Sequence, residues 1–113
     1  MLVDEYRNVE ESKVDMCGAD GVSIRWLIGK NTKDAPFYMR HFTVEVGGNT
    51  PLHTHNFEHE VYILEGEGEM NTGEKTFPLK PGSFLFVKKN EKHQFRNLSK
   101  DIPLKFLCMI PVN

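Results

Sequence analysis

Three histidines, His53, His55 and His59, fall within seven residues of one another, inside the stretch GNTPLHTHNFEHEVYILEG that spans residues 48–66. Neutral imidazole is the commonest side-chain ligand for transition metals. An extended chain turns side chains at i and i+2 to the same face, so His53 and His55 can offer two imidazoles side by side without a kink. His59 opens the following apolar run and can fold back over that pair. A fourth candidate, His93, lies in KKNEKHQFRN about forty residues downstream, a natural distance for a neighbouring strand to face the first pair. The remaining histidine, His41, shares its strand parity with Thr43 and Glu45 and is expected on a solvent-facing surface.

The elements that must position these residues are strands. Residues 22–28 alternate Ile24, Trp26 and Ile28 against Ser23 and Arg25, and residues 37–46 alternate Phe42, Val44 and Val46 against His41, Thr43 and Glu45. Both are signatures of half-buried strands. Residues 60–64 form an apolar strand that stops at Glu-Gly-Glu-Gly. Short strands follow around residues 69–71, 75–79, 83–87 and 93–97, separated by Thr72-Gly73, Pro81-Gly82 and a charged turn at residues 88–92. Residues 103–111 close the chain with LKFLCMI. Eight to ten short strands punctuated by Gly and Pro, without a sustained 3.6-residue period, predict an all-β sandwich or barrel. The first twenty residues are polar and acidic and are expected to form an arm or edge strand ahead of a barrel over residues 21–113.

Composition narrows the function classes. A chain of 113 residues suits one domain with its own core. A formal charge of −2, from 14 basic and 16 acidic residues, supplies no field for nucleic acid or an anionic membrane surface. No apolar run approaches the ~20 residues that cross a bilayer, and MLVDEYRNVEESK has acids where a signal peptide has a basic region and apolar core. A cytoplasmic location follows as the expectation. Cys17 and Cys108, the two cysteines, lie outside any CxxC pattern, so a zinc–thiolate site is not expected. Cys17 reads as an inert thiol.

The histidine stretch resembles the first motif of the cupin family: Gly47, five residues, His53-x-His55, three residues, a ligand position, six residues and Gly66. Gly82, Lys88, Asn90, His93 and Asn97 resemble the second motif, with Lys88 and Asn90 where the family has Pro and Gly. Asn tolerates the left-handed backbone that a glycine turn uses, so the turn can survive. The two motifs cover about half of the chain. The resemblance implies a double-stranded β-helix, the jelly-roll cupin barrel. The DAPFYMRHFTVEVGG and FLCMIP segments are further similar to small single-domain bacterial cupins that bind manganese through four histidines. By that resemblance His53, His55, His59 and His93 are the metal ligands and Mn(II) is the ion, although imidazole alone suits Fe, Cu, Ni or Zn as well.

The family usually places glutamate where this chain has His59, and Glu60 stands next door. Adjacent strand residues face opposite ways, so one of the two enters the site. His59 holds the family register, six residues before Gly66, and shares a face with Val61 and Ile63.

Four neutral imidazoles leave the +2 of a divalent ion uncompensated and should draw anionic or chelating oxygen ligands. On the last strand, Lys105 is the residue least suited to an interior. Leu104, Phe106, Cys108 and Ile110 then face inward, and Phe106 and Cys108 become candidate pocket walls or plain core filling. The opposite face, with Leu107 and Met109, is apolar too, as is Leu27, which predicts a homodimer, with exchange of the N-terminal arm as one way to form it. No general base is evident within the motifs. The leading expectation is a metal-dependent oxygenase or oxidase-type enzyme acting on a small organic molecule; the alternative is a non-catalytic module that binds a metal or small ligand.

Overall fold

The computed structural model describes residues 1–112; Asn113, the expected last residue of the barrel, lies outside the described residues. A 3-10 turn, Tyr6–Asn8, leads into nine strands: β1 (Ser12–Lys13), β2 (Asp20–Ile28), β3 (Phe37–Asn49), β4 (His59–Glu65), β5 (Gly68–Asn71), β6 (Thr76–Leu79), β7 (Phe84–Val87), β8 (Gln94–Asn97) and β9 (Leu104–Pro111). All pairings are antiparallel, in the order β6-β5-β8-β3-β9-β4-β7, with β2 and then β1 attached to the other edge of β3. This is the all-β barrel expected from the strand pattern, curled into the jelly roll that the cupin resemblance implies. No helix is long and apolar enough to cross a membrane among the described residues.

The strands form one continuous sheet that curls over itself, and β3 joins its two halves. Its first eight residues pair with β9, whereas Asn49 pairs with Arg96 of β8. The change of partner strand follows Gly47, whose φ of +77° is left-handed backbone that a side chain would strain. Asn97 then locks the corner. Its buried amide donates to the carbonyls of Val44 (2.9 Å) and Ile102 (3.1 Å), and its Oδ1 accepts from the Ser99 amide (2.8 Å).

Burial follows the period of two. On β4, His59, Val61 and Ile63 are buried while Glu60, Tyr62 and Leu64 are exposed. On β9, Leu104, Phe106 and Cys108 are buried. Phe106 stacks on Phe42 (centroids 5.2 Å) of the neighbouring β3 and on Phe95 (4.1 Å) of β8, across the curl of the sheet. One ring thus bridges both layers, and burying a phenylalanine contributes about 1.5–3 kcal/mol.

Two expectations are corrected. His41 is buried rather than solvent-facing, because the N-terminal arm folds over its own barrel and Tyr6 stacks on the imidazole at 4.6 Å. Arg25 holds the arm by donating to the Val9 carbonyl. His53 and His55 do not sit on a continuous strand; their segment is extended, with a single bridge between His53 and His93.

Candidate metal centre

The His53–His93 bridge is what brings two distant segments together. Each residue's amide donates to the other's carbonyl (3.2 and 3.0 Å). The turn at residues 88–92 supplies a second tie: the Asn90 amide donates to the His55 carbonyl at 2.6 Å. Asn90 has φ +63°, the left-handed conformation anticipated for the position where the family has glycine. That charged turn therefore buttresses the His55 backbone, a role its composition did not suggest.

His53, His55 and His93 each offer a ring nitrogen, all within 4.8 Å of one another. The Nε2 atoms of His53 and His55 stand 2.9 Å apart. Donors at right angles around an ion with bonds of about 2.0–2.1 Å are separated by about 3 Å, and tetrahedral ones by about 3.3 Å. The pair accordingly has the spacing of two ligands of one cation. His93 Nδ1 lies 2.9 Å from the Glu91 carbonyl, to which it donates as the protonated nitrogen, leaving the Nε2 lone pair free. His59 borders this trio, its ring 4.7 Å from that of His55 and 5.1 Å from that of His93. Its Nδ1 is 3.0 Å from Cys108 Sγ, and its buried Nε2 has no protein partner. Glu60 faces the opposite, exposed side.

Protonation favours metal binding as well. Burial lowers the pKa of all four rings; His55 falls to about 4 by burial and the neighbouring His53, and His59 to about 3 by burial and the Arg40 charge. Each imidazole is thus neutral at neutral pH, as ligation requires. The donor set fits a divalent ion of the imidazole-binding kind.

A cavity of about 320 Å³ adjoins the cluster. Its walls include Trp26, Phe42, Phe95, Phe106 and Cys108 together with the four histidines. Burial pushes the Cys108 thiol up, with Arg40 opposing. No carboxylate lines the cavity among the described residues. Sequence reasoning missed Arg40, whose Nη2 donates to Cys108 Sγ (2.9 Å) and lies 3.4 Å from His59 Nδ1. The signal was available: Arg40 has the parity of Phe42 and Val44, which places it on the inner face.

Residues 40–110 match the model of the cupin domain family. The chain belongs to the cupin family. Among relatives of this cupin, an L-ectoine synthase of Vibrio campbellii is 32% identical over 95 residues, covering 83% of this chain and 70% of that protein. A polyketide cyclase from Streptomyces resistomycificus superimposes with a TM-score of 0.92 at 29% identity, covering all of this chain and 80% of its own. A protein from Thermotoga maritima, described as a predicted oxalate decarboxylase, superimposes with a TM-score of 0.85 at 27% identity, covering 99% of this chain and 100% of its own.

Proposed function

We propose that this cupin is a metal-dependent enzyme acting on a small organic molecule held in the cavity beside His53, His55, His59 and His93. The observation that carries the reading is the convergence of neutral imidazoles on a largely apolar chamber that no carboxylate lines among the described residues. A bound divalent ion would supply Lewis-acid polarisation of a substrate oxygen. His93 is held in the ligating tautomer by Glu91, and His59 can be held likewise by donating Nδ1–H to Cys108. The aromatic walls position the substrate and exclude water. Manganese has the support of the family resemblance; zinc, iron, copper and nickel suit the same ligands.

Two relatives named for bond-forming chemistry, a polyketide cyclase and an ectoine synthase, favour a redox-neutral cyclisation or condensation. The apolar lining favours the second reading, an oxygenase or oxidase that needs a dry chamber. Oxygen uptake, measured on metal-loaded protein with candidate oxo and enolic acids, separates the two. Turnover at equal rates under argon supports the redox-neutral reading; turnover strictly coupled to oxygen consumption overturns it. Stoichiometric binding without turnover of any candidate would make the protein a non-catalytic module.

We infer a homodimer in the cytoplasm. Phe84, Tyr62 and Leu107 align across β7, β4 and β9, and Phe84 is 82% exposed. A second copy fits this row because a two-fold axis sets it against itself. Cys17 and Cys108 are both free thiols, one exposed and one buried, as a reducing compartment leaves them. Sedimentation equilibrium at micromolar concentration checks the dimer; monomer alone refutes it.

A further inference from the structure

The cavity holds a cation without a counter-ion. Arg40 has no carboxylate within 4.0 Å among the described residues, and its Nε is buried without a partner. Its guanidinium is framed by rings, with Cζ 4.9 Å from the centroid of Phe42 and 5.6 Å from that of Trp26, and it is steered by its bond to Cys108. A guanidinium partly withdrawn from water is best satisfied by an anion or a full set of acceptors, and a weak sulfur acceptor, a long contact to the His59 ring and two ring faces provide neither. The fork geometry of Arg is suited to two parallel bonds with a carboxylate.

We propose that Arg40 is the anion-binding residue of the site, taking the carboxylate or equivalent oxyanion of a small, largely apolar substrate. This rests on the cavity being the substrate site, and it names the substrate class: organic acids whose apolar body lies against Trp26, Phe42 and Phe106. A neutral molecule of the same shape leaves the guanidinium unpaired and is rejected. Arg40 also lies beside His59, so the anionic end of the substrate sits next to the metal cluster and its other oxygens come within reach of it.

Trp26 is the sole tryptophan and lines the cavity, so its fluorescence reports occupancy. Benzoate and its neutral isostere benzamide are titrated into chelator-stripped and zinc-loaded protein, as wild type, Arg40→Met and Arg40→Lys, with zinc content measured on each. The expected result is benzoate binding at least tenfold tighter than benzamide to stripped wild type. Arg40→Met should erase the preference with zinc content unchanged, and Arg40→Lys should keep part of it. Equal binding of the two probes, no benzoate response, or a preference that survives Arg40→Met overturns the assignment. A preference that arises only with zinc and ignores Arg40→Met gives the anion to the ion, which overturns Arg40 while sparing the metal reading. Conversely, protein that retains no zinc but still prefers benzoate sinks the metal reading and leaves Arg40 standing. Should Arg40→Met fail to fold, Arg40→Lys decides: an affinity equal to wild type overturns the proposal.

Discussion

The tie between Asn90 and His55 makes the histidine cluster sensitive to one backbone dihedral. At φ +63° Asn90 occupies a region that costs a residue with a Cβ about 1–2 kcal/mol, Asn less than most and Gly nothing. Glycine loses more freedom on folding, which returns about 0.4–1 kcal/mol of the difference. Asn90→Ala should therefore be less stable than Asn90→Gly by about 1 kcal/mol, with the native protein between them. At about 2.1 cal/mol/K per residue, 113 residues give an unfolding entropy of about 0.24 kcal/mol/K, so the two variants should melt about 4 °C apart. Relaxing the alanine turn by changing φ rotates the amide that donates to His55. If that strain reaches the cluster in full, zinc affinity falls about fivefold in Asn90→Ala and stays near native in Asn90→Gly. Calorimetric melts in chelator and zinc titrations check both halves. Alanine as stable as glycine would falsify the backbone argument; the right melting order with identical zinc affinities would uncouple the turn from His55.

Elemental analysis should find about one divalent ion per chain, lost with His53→Ala or His93→Ala, weakened with His59→Ala and retained with Glu60→Ala, whose side chain faces outward; loss in Glu60→Ala alone would reverse the assignment on β4. Gly66→Ala should prevent folding or cost several kcal/mol, since its φ is +87° and a Cβ would lie 2.3 Å from the Pro103 carbonyl oxygen; soluble protein with a native melt contradicts this close approach. The His41 pKa is lowered by burial, then by Lys105 and Arg25, and a released arm removes the burial and moves it back toward the ordinary value of about 6.5. Above that pH both forms are neutral and docking is intact. As pH falls through it, only the released form takes the proton, so docking weakens by at most about tenfold per unit. Hydrogen exchange in residues 5–10, corrected for intrinsic rates, should rise from pH 7.5 to 5.5 in wild type and stay flat in His41→Phe; flat exchange in both dismisses the coupling.

Much of the barrel was legible because strand parity needs only burial of alternate residues. The same rule oriented His59 against Glu60 and put Phe106 and Cys108 inside. Parity also pointed Arg40 inward, yet a charge at the start of an apolar strand is ordinarily read as solvated, and only the packed cavity displays what it faces. His41 failed for the opposite reason. Its outward parity was right, but its burial comes from Tyr6, a contact 35 residues away in sequence that no local pattern encodes. His53 and His55 converge through the bridge to His93 rather than through a ladder of their own, so their i, i+2 spacing led to the right pairing by an incomplete route.

The departure from the family glutamate at position 59 and the uncompensated Arg40 are physically one feature. Arg40 Nη2 lies 3.4 Å from His59 Nδ1, so a carboxylate projected from the same inward strand position falls within reach of the guanidinium. An acid there would pair with Arg40, satisfy its fork and leave a substrate anion nothing to bind. Imidazole avoids this: it can offer Nε2 to a cation while its other nitrogen engages Cys108, and it stays neutral beside the arginine because burial and that very charge hold its pKa near 3. His59→Glu should consequently keep zinc, as a three-histidine, one-carboxylate set, and lose the benzoate preference as completely as Arg40→Met does. The double variant His59→Glu/Arg40→Met should then bind the two probes no differently from either single variant, the non-additivity expected of residues acting on one group. If His59→Glu keeps a tenfold preference for benzoate, the carboxylate does not reach Arg40 and the histidine was not needed to leave that charge available.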